Sequence, residues 1–206
     1  MLYKQRDNNF DHNQQDDLSS SPFSVFDSWF DLAKKSGESE PHTMVVATSA
    51  NGKPSSRCVY LTEILQEEFV FYTNYGSRKS QEINANPYVS LLFNWPACHR
   101  QVRIEGVAKP LSDERSDEYF NQRAQSSRIA SIISRQSQPL SSRENLEKLF
   151  NDYQDNGEDL KRPKYWGGYS VQPNKFNYLI LRKHRLHDSY NYILTKSGWI
   201  VERVFP

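Results

Sequence analysis

Met44-Val45-Val46-Ala47-Thr48-Ser49-Ala50-Asn51-Gly52-Lys53-Pro54-Ser55-Ser56-Arg57-Cys58-Val59-Tyr60-Leu61-Thr62 is the stretch that decides the fold class. Two strand-like runs, 44–49 and 55–62, flank Asn51-Gly52, and both turn residues tolerate positive φ, so the stretch predicts a β-hairpin. Downstream, strands are predicted at 69–74, 88–95 and 101–111, each rich in β-branched and aromatic side chains. Helical patterns intervene at about 112–123, 126–134 and 141–155. The last opens on the capping box Ser141-Ser142-Arg143-Glu144 and stops near Asn156-Gly157. Strands return at 167–171, 176–181, 187–194 and 199–204, with Ser197-Gly198 as the final hairpin turn. Short strands with helices inserted rather than alternating predict a mainly β, antiparallel barrel with flanking helices, not a parallel doubly wound sheet.

Upstream of the hairpin, Ser21-Pro22 opens a helix with Phe23, Phe26, Trp29, Phe30 and Ala33 on one face, closed by Lys34, Lys35 and Gly37. Residues 1–20 are rich in Asn, Asp, Gln and Ser and are expected to be a disordered tail, leaving 21–206 as a single domain. A net charge of +1 gives no general pull toward nucleic acid or an anionic membrane. Residues 1–42 hold eight acidic and four basic side chains, so the remainder carries the basic excess and is suited to anions. No run approaches the roughly 20 apolar residues of a membrane span. The start, Met1-Leu2-Tyr3-Lys4-Gln5-Arg6-Asp7, lacks a secretory pattern, and Cys58 and Cys98 form no CxxC. A cytoplasmic protein with reduced thiols is the expectation. GxGxxG, Walker and GxSxG patterns are missing, which removes the support for Rossmann, P-loop and hydrolase readings.

Four groups could carry chemistry. In Phe71-Tyr72-Thr73-Asn74-Tyr75-Gly76-Ser77-Arg78-Lys79 a strand ends, glycine permits a turn, and Ser77 is placed to cap a helix that opens on two cations. That is either a phosphate site or a surface helix with solvated charges. On strand 55–62, Arg57 shares a face with Val59 and Leu61, opposite Cys58, Tyr60 and Thr62, so it needs an anionic partner or must snorkel. Tyr119, Arg123 and Ser127, spaced four apart, would face one way on a continuous helix; they are either a phosphate grip or a polar face. In His184-Arg185-Leu186-His187-Asp188 the pattern reads as strand, which puts Arg185 and His187 on one face and separates the two histidines. No further ligand completes a metal site there, and none is expected.

Together these segments resemble the pyridoxine/pyridoxamine 5′-phosphate oxidase family over about residues 22–206. The ordered motifs are Met44-Val45-Val46-Ala47-Thr48, the strand from Arg57 to Leu61, Phe71-Tyr72-Thr73-Asn74 with Ser77-Arg78-Lys79, and Arg100-Gln101-Val102. Ser134-Arg135-Gln136-Ser137, Trp166-Gly167-Gly168 and Arg185-Leu186-His187-Asp188 complete the series. The resemblance implies an antiparallel Greek-key FMN-binding split barrel, homodimeric, with flavin in clefts between subunits. It places Arg57, Cys58, Val59 and Tyr60 beside the flavin. Tyr72, Thr73, Arg78 and Lys79 would hold FMN and its phosphate, with further contacts from Gln101, Gln136 and Ser137. Substrate phosphate would meet Tyr119, Arg123 and Ser127, and the substrate ring Arg185 and His187. The implied reaction belongs to vitamin B6 salvage. A hydride passes from C4′ of pyridoxamine or pyridoxine 5′-phosphate to flavin N5, giving pyridoxal 5′-phosphate; dioxygen reoxidises the flavin to yield hydrogen peroxide.

Three positions depart from the family's pattern. Thr62 stands where a lysine usually reaches the substrate phosphate, Leu179 where a tryptophan lies beside the flavin, and Ser189 where an arginine touches FMN. Each lost charge-assisted hydrogen bond removes roughly 1.5–3 kcal/mol, about 10- to 150-fold in affinity. The alternatives are a flavin oxidase for another substrate, since the family's phenazine-biosynthesis relatives also lack the lysine, and a non-catalytic carrier of FMN or pyridoxal phosphate. The phenazine relatives differ from this chain in the flavin-phosphate segment.

Overall fold

The computed structural model describes residues 21–155 and 160–206. The expectations for residues 1–20 and for the Asn156-Gly157 helix stop lie outside them. Helix α1 (Pro22–Lys35) starts as its sequence dictates, with the Ser21 hydroxyl accepting from the Phe23 N–H at 3.2 Å. Its buried face is Val25, Phe26, Trp29 and Ala33, while Phe23 and Phe30 lean on the same core. Strands β1 (Thr43–Ala50) and β2 (Lys53–Tyr60) pair antiparallel from Thr43↔Tyr60 to Ala50↔Lys53. Asn51 and Gly52 make the turn at φ 51° and 72°, as the hairpin reading requires.

The chain continues through β3 (Glu63–Leu65), β4 (Glu68–Asn74), α2 (Arg78–Ala85), β5 (Tyr88–Trp95) and β6 (Arg100–Pro110). Three helices follow, α3 (Asp113–Gln122), α4 (Gln125–Ile133) and α5 (Arg143–Asp155), then β7 (Trp166–Ile180), β8 (Asp188–Thr195) and β9 (Gly198–Val204). Every strand pairing is antiparallel, in the order β2-β1-β5-β6-β7-β4-β3, with β8 joined to β7 and β9 to β8. The mainly β, antiparallel expectation therefore holds, with five helices added among the described residues.

The separate strands expected at 167–171 and 176–181 are one strand, β7, and its length organises the sheet. One edge of β7 holds β6 over residues 169–180; the other holds β4 over 166–171 and then β8 over 175–180. Gln172-Pro173-Asn174, which reads locally as a turn, lies where β4 and β8 part. Pro173 has no N–H to donate, and here that edge of the strand has no partner to receive one. Opposite, the β6 register shifts between Glu105 and Gly106. A Cβ at Gly106 would lie 2.4 Å from the Gln172 carbonyl oxygen, so the bulge needs glycine.

Aromatic rings fill the core between α1 and the sheet. Phe26 meets Phe69 and Phe93 edge-on at 4.9 and 5.0 Å, and Trp29 meets Tyr178 at 4.9 Å. Each such ring, wholly buried, contributes about 1.5–3 kcal/mol by leaving water.

Two further expectations are corrected. Tyr119, Arg123 and Ser127 do not share a continuous helix: α3 ends at Gln122, Arg123 is its extended C-cap, and Ser127 belongs to α4. Arg185 and His187 do not share a strand face either. The chain reverses between β7 and β8 through a short 3-10 turn, Lys183–Arg185, with His184 and Arg185 at φ 56° and 60°, and β8 begins only at Asp188.

Candidate functional site

Strand β2, the end of β4, the start of α2, the α3–α4 junction, the loop 134–137 and α5 wall a cavity of about 770 Å³. That is ample for a ring-bearing small ligand. Arg57, Cys58, Val59, Tyr60, Tyr72, Thr73, Lys79 and Gln136 from the flavin set line it, together with Tyr119 and Arg123 from the substrate set.

Lys79 occupies the buried end. Its Nζ donates to Thr73 Oγ1 at 2.8 Å, Gln136 Oε1 at 3.0 Å and Ser77 Oγ at 3.1 Å. All three acceptors are neutral, and Lys79 makes no ion pair among the described residues. Burial, reinforced by the nearby Arg57 charge, pushes its pKa down to about 8. Ser77 therefore acts differently from expectation. It is the N-cap of α2 by position, but its side chain makes no cap hydrogen bond and serves Lys79 and Ser80 instead. Asn74 ties the facing loop to β4, since its Nδ2 donates to the Ser134 carbonyl at 2.8 Å.

Beside Lys79 sits a second charged cluster. Arg57 does have an anionic partner: its Nη2 reaches Glu82 Oε2 at 3.3 Å and Ser55 Oγ at 2.5 Å, while Nη1 donates to Thr48 Oγ1 at 2.6 Å and the Val46 carbonyl at 3.2 Å. Hydrogen bonds from Ser55 and Thr48 come first among the causes that hold Glu82 down at about 2.

The other end of the cavity is aromatic. Tyr72 stacks on Tyr119 with centroids 3.9 Å apart, and Trp166 lies 5.3 Å from Tyr72, nearly parallel. Gly168 makes room for this arrangement, because a Cβ there would meet Tyr72 Cε1 at 2.9 Å. The Tyr72 hydroxyl is buried without a hydrogen-bond partner, and burial pushes its pKa up to about 12. The Arg123 guanidinium lies 4.8 Å from the Trp166 ring centroid and donates to Ser131 Oγ, whose hydroxyl donates to the Ser127 carbonyl at 2.9 Å. Ser127 thus supports Arg123 through its backbone and does not line the cavity. Burial pushes the Arg123 pKa down, and no carboxylate pairs with it among the described residues.

Five more candidates lie off the cavity wall. Arg78 is at the outer rim, its side chain 61% exposed and bonded to Glu82 Oε1 at 2.8 Å. Ser137 accepts from the Arg78 backbone N–H at 3.2 Å. Gln101 pairs with Leu179 near the far end of β7, about 40 Å along the strand from Gly167, the partner of Thr73. Arg185 and His187 follow just beyond that end. His187 Nδ1 accepts from the Arg182 N–H at 2.9 Å, so the neutral ring carries its proton on Nε2.

Glu82, Asn74 and Trp166 were missed as site residues. The Arg78–Glu82 spacing of four was a readable hint on a helix. Trp166 stood within a recognised motif without a role.

Antiparallel strands carrying a large cavity, lined by the buried Lys79 and the half-buried Arg123, neither ion-paired among the described residues, and by stacked rings, define a β protein suited to an anionic ring ligand. Residues 33–155 match the sequence profile described as Pyridoxamine 5′-phosphate oxidase. Pyridoxine/pyridoxamine 5′-phosphate oxidase of Rubrobacter xylanophilus is 43% identical, with 93% of this chain and 90% of that protein aligned. The protein of the same name from Bordetella pertussis is 44% identical over 93% and 92%. Among solved structures, PhzG from Burkholderia lata, in complex with tetrahydrophenazine-1-carboxylic acid, superposes with a TM-score of 0.88 at 28% identity, covering 93% of this chain and 95% of that one. A pyridoxamine 5′-phosphate oxidase-related, FMN-binding protein from Nostoc punctiforme shares the fold at a TM-score of 0.75 and 16% identity, covering 92% and 100%. The chain belongs to the pyridoxamine 5′-phosphate oxidase family.

Proposed function

We propose that this chain is an FMN-dependent oxidase that converts pyridoxamine or pyridoxine 5′-phosphate to pyridoxal 5′-phosphate, with dioxygen as acceptor and hydrogen peroxide as product. The observation that carries the reading is Lys79, a buried ammonium on the cavity wall whose acceptors among the described residues are all neutral. A buried cation without a counter-ion is a standing demand for an anion, and a phosphate meets it. The Tyr72 hydroxyl, buried with no hydrogen-bond partner among the described residues, is a neutral donor on the same wall that lacks an acceptor.

Bound FMN would supply the two-electron redox step through its ring. The chain's part is placement. Lys79, Thr73 and Gln136 grip one phosphate; Arg123 and Tyr119 grip the substrate's, at the aromatic end. Arg185, His187 and Gln101 do not line this chain's cavity, so the reading assigns them to the cavity of a second copy in a split-barrel homodimer. There the Nε2–H of His187 can donate to the substrate. The reading makes residues 21–206 one functional domain and the protein a soluble, cytoplasmic one. The test is aerobic turnover of purified protein with pyridoxamine 5′-phosphate, following oxygen uptake, peroxide and pyridoxal phosphate. Equimolar products support the reading; FMN-loaded protein that forms none refutes it.

A second reading has its own support. Thr62 lines the cavity and brings no charge, and the solved structure at 28% identity holds a ring carboxylic acid. An oxidase for a different ring acid, or a carrier that binds without turnover, follows from that pocket.

A further inference from the structure

We propose that Glu82 is a positioning residue for the cofactor phosphate, a role that rests on the FMN reading above. Its carboxylate is buried at the base of α2, one turn beyond Arg78. Oε2 accepts from Thr48 Oγ1 and Ser55 Oγ, both at 2.5 Å, and from Arg57 Nη2 at 3.3 Å; Oε1 accepts from Arg78 Nε at 2.8 Å. The two hydroxyls come from β1 and β2, so they fix the carboxylate without help from either arginine. Glu82 in turn fixes both guanidiniums, Arg57 on the cavity wall and Arg78 on the rim.

The arrangement solves a packing problem. Arg57 and Arg78 meet on one carboxylate, and the Arg57 charge adds to burial in depressing the neighbouring Lys79. Without a phosphate, three clustered cations repel, and the long side chains would turn to solvent. A fixed internal carboxylate keeps Arg57 and Arg78 aimed before the ligand arrives, which reduces the ordering cost of binding. The same negative charge would repel a phosphate, but two ion pairs already offset it. Among the described residues each arginine's ion pair is with Glu82, so removing the carboxylate takes the counter-charge from both. Arg78 loses its side-chain partner, while Arg57 keeps its hydrogen bonds to Val46, Thr48 and Ser55.

The experiment compares FMN with riboflavin, which has the ring and lacks the phosphate, by titration of flavin-free protein. Glu82→Gln keeps the size and removes the charge; Ser55→Ala removes a hydroxyl that anchors both Glu82 and Arg57. Glu82→Gln should weaken FMN by about tenfold or more, with riboflavin affinity within about twofold of wild type. Ser55→Ala should shift the same ratio in the same direction by less. A merely structural role would weaken both ligands together, and that result overturns the proposal. So does an unchanged or tighter FMN affinity in Glu82→Gln. If Glu82→Gln does not fold, Ser55→Ala decides alone, a shifted ratio supporting the role and an unshifted one overturning it. Wild-type protein with no preference for FMN over riboflavin refutes the FMN reading itself, and the Glu82 role with it.

Discussion

Leu179 and Ser189 are direct cross-strand partners, on β7 and β8, and Gln101 of β6 faces Leu179 from its other side. Three positions that the family resemblance ties to the flavin thus form one row across three strands. Two of the chain's three departures touch each other, so they are a joint change in one patch rather than two independent losses. Ser189 is buried, and its hydroxyl accepts from Asn177 Nδ2 at 2.9 Å.

A long cation at that buried position overpacks the row while Leu179 stays in place. Ser189→Arg alone should destabilise the protein by about 1–3 kcal/mol. In a cycle with Leu179→Trp, the two changes should fail to add by at least about 0.5 kcal/mol. Denaturant melts of the four proteins measure this; additivity would separate the sites.

Lys79 makes FMN affinity depend on pH. With its pKa at about 8 in the empty site, the ammonium is half lost at that pH. A bound phosphate favours the charged form, so binding takes up a proton above pH 8. FMN affinity should fall as pH rises through 8, and the fall should vanish in Lys79→Met. The flavin-free protein should behave oppositely. Between about 8 and 10.5 the unfolded chain holds a proton on Lys79 that the folded chain lacks, so stability rises with pH across that window. Titrations and melts at pH 7 and 9 check both signs.

Thr62 borders the same cavity as Tyr72, Tyr119 and Arg123. Thr62→Lys adds a cation there, though its flexible stem loses rotamer entropy on binding. Pyridoxal phosphate should bind a few-fold to tenfold more tightly, about 1 kcal/mol, by titration at fixed ionic strength. Flat or weaker binding would favour the pocket reshaped for another ligand.

Arg185 is exposed in its turn and off the wall of its own chain's cavity. If it serves a second copy, Arg185→Ala should lower kcat/KM about tenfold, or 1.4 kcal/mol, and leave FMN bound. Lys79→Met, which lacks the proposed phosphate grip, should lose activity in its own cavity, and mixing it with Arg185→Ala protein should restore part of the activity through hybrid dimers. No restoration would place Arg185 and Lys79 in one chain's site.

The hairpin at Asn51-Gly52, α1 and the strand before Ser77-Arg78-Lys79 were legible because their signals are local: a turn type, a cap, an alternation. The continuity of β7 was not, since Gln172-Pro173-Asn174 looks like a turn and is extended only because β6 pairs alongside. The break at Arg123 hid behind a spacing of four that suits an unbroken helix equally well. Glu82 escaped because its partners Thr48 and Ser55 come from strands about thirty residues earlier in the chain. Arg185 and His187 were misplaced because Lys183 and His184 carry no glycine or proline to announce the reversal.

The most direct test of the central claim is rapid anaerobic mixing of the FMN-loaded protein with pyridoxamine 5′-phosphate, watching the flavin absorbance. Without oxygen, an oxidase of this kind transfers electrons once and stops, so the account predicts bleaching of the flavin band in step with one equivalent of pyridoxal phosphate, and recovery when air is admitted. An FMN-loaded protein that binds pyridoxamine phosphate and keeps its flavin band would contradict it.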